Sequence, residues 1–164
     1  MEINITCSYD KTMKVIKLIG EDEYHIEQTL QGHLNEVCKV IEIKENELIS
    51  VSYDKTMKIW ELNNENKFEL LLTVAFQNSE SWCNILKLNE KEFVTSSCSD
   101  ECIKFWNSNN YSNITTIDDI ELDWTLKTMC LLKHDILCVG GCNSKGFYLI
   151  KISTHQLIKN ILGT

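Results

Sequence analysis

The chain has 164 residues, and 43% of them are hydrophobic, which is enough to build a folded core of about one domain. Its formal charge is −8, and all sixteen cationic residues are lysines, so there is no arginine to make bidentate contacts to phosphate or guanine. This composition argues against a protein that binds nucleic acid.

The N-terminal residues MEINITCSYDK carry charges and lack the apolar stretch of a signal peptide. The longest nearly apolar run, LLLTVAF, is too short to span a membrane. We therefore expect a cytoplasmic protein without a membrane partner, and we leave the nucleus open as a location. The eight cysteines should be reduced thiols, and their places in apolar runs predict small core side chains.

Two cysteine pairs have C-x3-C spacing, namely Cys98 with Cys102 and Cys138 with Cys142. Zinc sites usually use a tighter knuckle with two intervening residues. We therefore predict neither a metal nor a cofactor.

The heptapeptide SYDKTMK occurs at residues 8–14 and again at 52–58. Aligned on its aspartate, the segment CSDECIKFW at 98–106 is a third copy, and CNSKGFYLI at 142–150 is a weaker fourth copy. The copies begin 44, 46 and 44 residues apart. A period of this length is typical of a tandem-repeat architecture.

Apolar residues alternate within each unit in short runs, such as VCKVIEI, LISVS and MKIWEL in the second unit. A period of two predicts short antiparallel strands. In chain order, we expect strands at about 2–7, 12–18 and 24–30, followed by sets of four strands within about 36–76, 82–118 and 126–162. Each set is one sheet, and successive sheets must stack because a single sheet cannot bury both of its faces.

Residues 29–62, TLQGHLNEVCKVIEIKENELISVSYDKTMKIWEL, resemble a WD40 repeat along almost their whole length. Gly32-His33 is the Gly-His pair of that family, Asp54 is the turn aspartate, and Trp60-Glu61 replaces the Trp-Asp pair. The resemblance extends over essentially the whole chain, although the other three units keep fewer of these residues.

This resemblance implies an all-β fold, a partial WD40-type β-propeller with about four blades of four antiparallel strands. The blades would lie at about 1–31, 32–77, 78–122 and 123–164, and the first would lack its innermost strand. Because WD40 rings usually have seven or eight blades, we expect a single repeat domain that is a fragment of a larger propeller. The alternatives are a compressed closed ring and self-association through exposed terminal blades.

The resemblance also implies a chain of hydrogen-bonded polar side chains inside each blade, with a structural role. Its members would be His33, Ser50, Asp54 and Trp60 in the second unit, Ser96, Asp100 and Trp106 in the third, and Asp10 in the first. Ser52 is an alternative to Ser50. The same residue types would suit a hydrolase triad, but the aspartate recurs in other units without a histidine, so we predict no catalytic residue.

The residue before each turn aspartate should point to the face where WD40 propellers commonly bind partners. These residues are Tyr9, Tyr53 and Ser99, and Asn35 and Glu36 should lie near the same face. Tyrosine is well suited to an interface; the alternative is that these tyrosines only cover the edge of a blade.

The function implied by the resemblance is that of a non-catalytic scaffold for protein–protein interaction. The alternative is a propeller that recognises a substrate or modified peptide for a ubiquitin ligase or a chromatin-type complex. An enzyme is a more distant alternative.

Overall fold

The computed structural model describes residues 3–20, 23–76, 82–97, 102–118, 126–141 and 146–162. All the helix or strand structure in these ranges is β-strand, arranged in four antiparallel sheets. Two compact units, Met1–Gln77 and Asn78–Thr164, contain two sheets each. The prediction of an all-β fold is confirmed.

The first sheet has three strands, as predicted, in the order β1-β2-β3. They are β1 (Ile3–Cys7), β2 (Met13–Leu18) and β3 (Tyr24–Leu30). The turn between β1 and β2 places Lys11 in the left-handed region, with φ of 71°.

The second sheet has four strands in the order β4-β5-β6-β7. They are β4 (Val37–Lys44), β5 (Glu47–Ser52), β6 (Thr56–Leu62) and β7 (Phe68–Ala75). Its β5–β6 turn repeats the turn of the first sheet, and Lys55 there has φ of 67°.

The first and second sheets share one apolar core. Apolar side chains of both sheets form this cluster, namely Met13, Val15 and Leu30 from the first and Val37, Leu48, Trp60 and Phe68 from the second. The Gln28 amide also ties β3 to β7, because its Nε2 donates to Phe68 O at 2.7 Å and its Oε1 accepts from Phe68 N at 2.9 Å.

The second compact unit, Asn78–Thr164, contains two four-stranded sheets, each with its strands in sequence order. The third sheet consists of β8 (Trp82–Lys87), β9 (Glu92–Ser97), β10 (Ile103–Asn107) and β11 (Asn113–Ile117). The fourth consists of β12 (Leu126–Leu132), β13 (Ile136–Gly141), β14 (Gly146–Lys151) and β15 (Gln156–Leu162).

A core shared by the third and fourth sheets includes Val94 and Phe105 from one and Val139 and Ile150 from the other. His155 adds a polar link between these sheets, since its Nε2 lies 3.2 Å from Glu92 Oε2. Each of the four sheets falls within one of the four predicted blade ranges, and their union in a single domain stays a prediction.

The cysteines are less buried than the sequence predicts. Of the five whose environment is described, only Cys102 is buried, while Cys7, Cys38 and Cys138 are half-buried and Cys130 is exposed. Cys130 on β12 lies directly opposite Cys138 on β13. The prediction of small core side chains is confirmed for Cys102 and in part for Cys7, which packs against the core of the first two sheets. It was wrong for the exposed Cys130, because alternation along a strand does not reveal whether a second sheet covers the face.

Among the described residues, no helix has the length and hydropathy needed to cross a membrane.

Candidate polar network and partner surface

The two copies of SYDKTMK form the same local turn. In both, the aspartate Oδ1 accepts hydrogen bonds from the backbone N and the hydroxyl of the threonine two residues later, at 2.9 and 2.6 Å for Asp10 with Thr12 and for Asp54 with Thr56. These threonines were not among the predicted site residues. The D-x-T spacing could have revealed them, since aspartate commonly bonds the backbone two residues on in a turn.

The second carboxylate oxygen distinguishes the two copies. Asp54 Oδ2 accepts from His33 Nδ1 and from Leu34 N, both at 2.8 Å, and the Asp54 side chain is only 3% exposed. Asp10 Oδ2 instead pairs with Lys14 Nζ at 3.3 Å, and its side chain is 49% exposed. The same seven residues therefore give a buried link in one sheet and a surface ion pair in the other.

The network continues from Asp54 to the tryptophan. His33 Nε2 lies 2.8 Å from Ser50 Oγ, which in turn accepts from the Trp60 indole at 2.9 Å. Because a carboxylate only accepts hydrogen bonds, His33 donates from Nδ1 to Asp54 and accepts from Ser50 at Nε2. The structure thus brings together all four network residues predicted for the second repeat.

Gly32 is required beside this network for two reasons. Its φ of +152° is a conformation that residues with side chains rarely adopt. A Cβ atom at this position would also lie only 3.3 Å from the Trp60 ring. The Gly-His pair therefore combines a close backbone approach to the indole with a side chain that reaches Asp54.

Burial and hydrogen bonding together set the protonation states of His33 and Asp54. Burial lowers the pKa of His33 below its usual 6.5, and the hydrogen bond and charge of Asp54 oppose this change without cancelling it. Burial alone would raise the pKa of Asp54, but the hydrogen bonds from Thr56, Leu34 and His33 outweigh it and lower the pKa below 3.8. At neutral pH, the network therefore contains a neutral imidazole and an ionised carboxylate.

The third unit departs from the prediction at one residue. The Trp106 indole donates to Thr95 Oγ1 at 2.8 Å, whereas the sequence predicted Ser96 as its partner. Cross-strand pairing explains the shift, because Thr95 lies opposite Lys104 in the position that Ser50 takes opposite Lys58. Ser96 is fully buried one residue further on, where strand alternation turns it to the other face. Asp100, the remaining predicted member, lies outside the described residues.

The Ser50, His33 and Asp54 contacts have the hydrogen-bond order of a hydrolase triad. Ser50 has no exposed surface, however, and its oxygen already accepts the Trp60 indole. A substrate carbonyl therefore has no path to this hydroxyl. Within the described ranges, no group of three or more histidine, cysteine, aspartate or glutamate residues could hold a metal ion.

Four of the predicted partner-binding residues lie close together in the compact unit Met1–Gln77. They are Tyr9, Asn35, Glu36 and Tyr53, and we call them the tyrosine surface. Tyr9 is 75% exposed, and Tyr53 is half-buried. Burial raises the pKa of Tyr53, and the neighbouring Cys38, Tyr9 and Glu36 raise it further. Ser99, the equivalent residue of the third unit, lies outside the described residues.

Backbone contacts fix the loop beneath the tyrosine surface. Tyr53 N donates to Glu36 O at 3.1 Å, and Ser52 Oγ donates to Asn35 O at 3.1 Å. Ser52 thus braces this loop instead of replacing Ser50 in the network.

The sheets have the arrangement of a WD40-type β-propeller, and comparisons with known proteins agree with this fold. Residues 25–61 match the family model "WD domain, G-beta repeat". The crystal structure of the WD40 β-propeller domain of Doa1 is similar over 98% of this chain, with a TM-score of 0.77 and 21% sequence identity. The resemblance to the WD40-repeat family is confirmed, and the chain has the WD40 propeller fold.

The chain spans about half the length of the Doa1 chain, of which it covers 50%. A search of curated protein sequences found no significant match.

Proposed function

We propose that this chain is a non-catalytic scaffold that binds a protein partner through the tyrosine surface. WD40 propellers typically bind protein partners, and the fold in general is associated with binding more than with catalysis. One observation carries the proposal for this chain, namely that Tyr9 projects into solvent beside Tyr53 at the same position of an identical turn.

Several features suit this surface to an interface. A tyrosine offers a large apolar area and a polar tip while losing little side-chain entropy on binding. Hydrogen bonds that Asp10 and Asp54 accept hold both turns in place, and the Asn35–Glu36 loop is tied to the second turn. A rigid platform of this kind reduces the entropic cost of association.

The test is affinity capture from the native cell, with the double variant Tyr9→Ala and Tyr53→Ala compared with the wild-type chain. Tyr24→Ala is the matched control, because Tyr24 is 66% exposed but lies on β3, away from these turns. We expect the double variant to lose bound proteins that the control retains, with both variants showing an unchanged melting temperature.

Retention of every bound protein by the folded double variant would refute the tyrosine surface as the binding site. A partner that dissociates equally from the Tyr24 variant would place the interface on the outer strand instead.

A further inference from the structure

A cleft lies at the opposite end of the second sheet from Tyr53. It has a volume of about 670 Å³ and lies between the first and second sheets. It reaches the β4–β5 hairpin at Asn46 and the β6–β7 turn at Asn66, whereas Tyr53 is in the β5–β6 turn. Successive hairpins of an antiparallel sheet alternate between its two ends, so the cleft and the tyrosine surface are separate.

The cleft is lined by both apolar and polar side chains and carries two carboxylates, and we call it the acidic groove. Its apolar lining includes Ile5, Val40, Leu48, Leu62 and Phe68, and its carboxylates are Glu42 and Glu45. The volume is in the range of pockets that hold small ligands or a few side chains.

The two carboxylates form no ion pair within the described part of the chain. Glu42 and Glu45 are exposed and make no ion pair there, although Lys44 between them pairs with Glu47 at 3.4 Å. Because the chain carries a net charge of −8, the rim lies in a generally negative field. A cationic ligand would be attracted by both the local and the overall charge.

Hydrogen bonds hold the walls of the groove in position before any ligand binds. The Gln28 amide ties β3 to Phe68, as described above for the fold. Leu62 N donates to Asn46 O at 2.9 Å, which joins the end of β6 to the β4–β5 hairpin at the border of the cleft. A preformed groove costs little ordering energy on binding.

We propose that the acidic groove binds a basic peptide segment of a partner protein. One apolar side chain of the peptide enters the cleft, and lysine or arginine side chains beside it contact Glu42 and Glu45. This site does not depend on the tyrosine surface, so either proposal can fail without the other.

The probe is a fluorescently labelled peptide of alternating lysine and leucine, titrated into the whole chain and followed by anisotropy. We expect binding that weakens with added salt, because exposed charges are screened. Peptides of glutamate with leucine, and of lysine with serine, test the basic and the apolar requirement separately. Equal binding of either control peptide would overturn the proposal.

The double variant Glu42→Gln and Glu45→Gln should weaken binding about fivefold, as expected for two exposed ion pairs. Its matched control is Glu61→Gln with Glu69→Gln, which removes the same charge from a cross-strand pair. Strand alternation places that pair on the face opposite Leu62 and Phe68. An equal loss of affinity in the two double variants would show that only overall charge matters and would refute the site.

Methyl NMR locates the bound peptide. Shifts confined to the methyl groups of Ile5, Val40, Leu48 and Leu62 would support the proposal, and shifts confined to other methyl groups would refute it. The same shifts on concentrating the chain alone would assign the groove to a second copy and would also refute a basic peptide as its occupant.

Discussion

Comparing the identical turns at Asp10 and Asp54 distinguishes the local contribution of an aspartate to protein stability from its tertiary contribution. The hydrogen bonds that Oδ1 accepts from the threonine are the same in both turns, so the local sequence accounts for them. The contacts of Oδ2 differ, because only the second copy has His33 and Leu34 beside it. The difference in stability between equivalent variants therefore measures the tertiary part.

Asp54→Asn should destabilise the protein by about 2–4 kcal/mol, because it leaves buried donors without a charged acceptor. Asp10→Asn should have a clearly smaller effect, since that side chain is half exposed to solvent. Urea unfolding of both variants and the wild type measures the two losses. Equal losses would contradict a special role for the buried network.

The lowered pKa of His33 predicts a specific dependence of stability on pH. Between its folded value and the ordinary 6.5, the unfolded chain binds more protons than the folded chain. The free energy of unfolding should therefore rise with pH in this window and fall as the pH drops below 6.5. Asp54 adds a further loss of stability at more acidic pH, as the pH falls through the ordinary carboxyl pKa of 3.8 toward the lower value in the folded chain.

His33→Gln should flatten this dependence below pH 6.5 while lowering the overall stability. Urea unfolding at several pH values measures it, and the other three histidines are common to both proteins and cancel in the difference. Parallel curves for the variant and the wild type would contradict the assignment of a buried neutral imidazole.

At the scale of the strand, Thr95 rather than Ser96 should couple to Trp106. Thr95→Val should cost about 1–2 kcal/mol, because it leaves the indole N–H buried without its acceptor. A double-mutant cycle with Trp106→Phe isolates this term. The same cycle with Ser96→Ala is the control, and a larger coupling there would restore the register predicted from the sequence.

The Thr95 result shows what a repeat predicts well and where it fails. Repeated turns and alternating apolar residues correctly indicated the number and order of strands in the described sheets. The sequence prediction places the indole acceptor of the third repeat by counting back from Asp100 as in the second repeat. The alignment could not reveal that the third repeat has one more residue between this acceptor and the aspartate. A one-residue shift moves a side chain to the other face, so the prediction named the wrong neighbour.

The acidic groove lay beyond sequence reasoning for a related physical reason. Ile5, Glu42 and Phe68 come from three separate strands, and only the packing of two sheets brings them to one cleft. No local pattern marks such a site. The tyrosines, in contrast, could be proposed from sequence because their positions depend on the turn alone.

At the scale of the whole molecule, each compact unit has its own core cluster. Phe105 is fully buried among side chains of the third and fourth sheets. Phe105→Leu should therefore lower the stability of the second unit by about 1–2 kcal/mol. Native-state hydrogen exchange should show faster exchange in β8–β15, with little change in β1–β7.

Stability is local in proteins built from stacked sheets, because each sheet packs only against its neighbours. An equal rise in exchange throughout both units would instead indicate one cooperative unit and would contradict the prediction.

Disulfide formation between Cys130 and Cys138, which lie opposite each other on β12 and β13, would test how these strands pair. Directly opposed residues in an antiparallel pair have Cα atoms about 4.5–5.5 Å apart, within the range that a disulfide spans. A slip of one residue would turn the two thiols to opposite faces and prevent the bond. A disulfide located between Cys130 and Cys138 by mass spectrometry of the peptides after mild oxidation would therefore report whether β12 and β13 hold this register in solution.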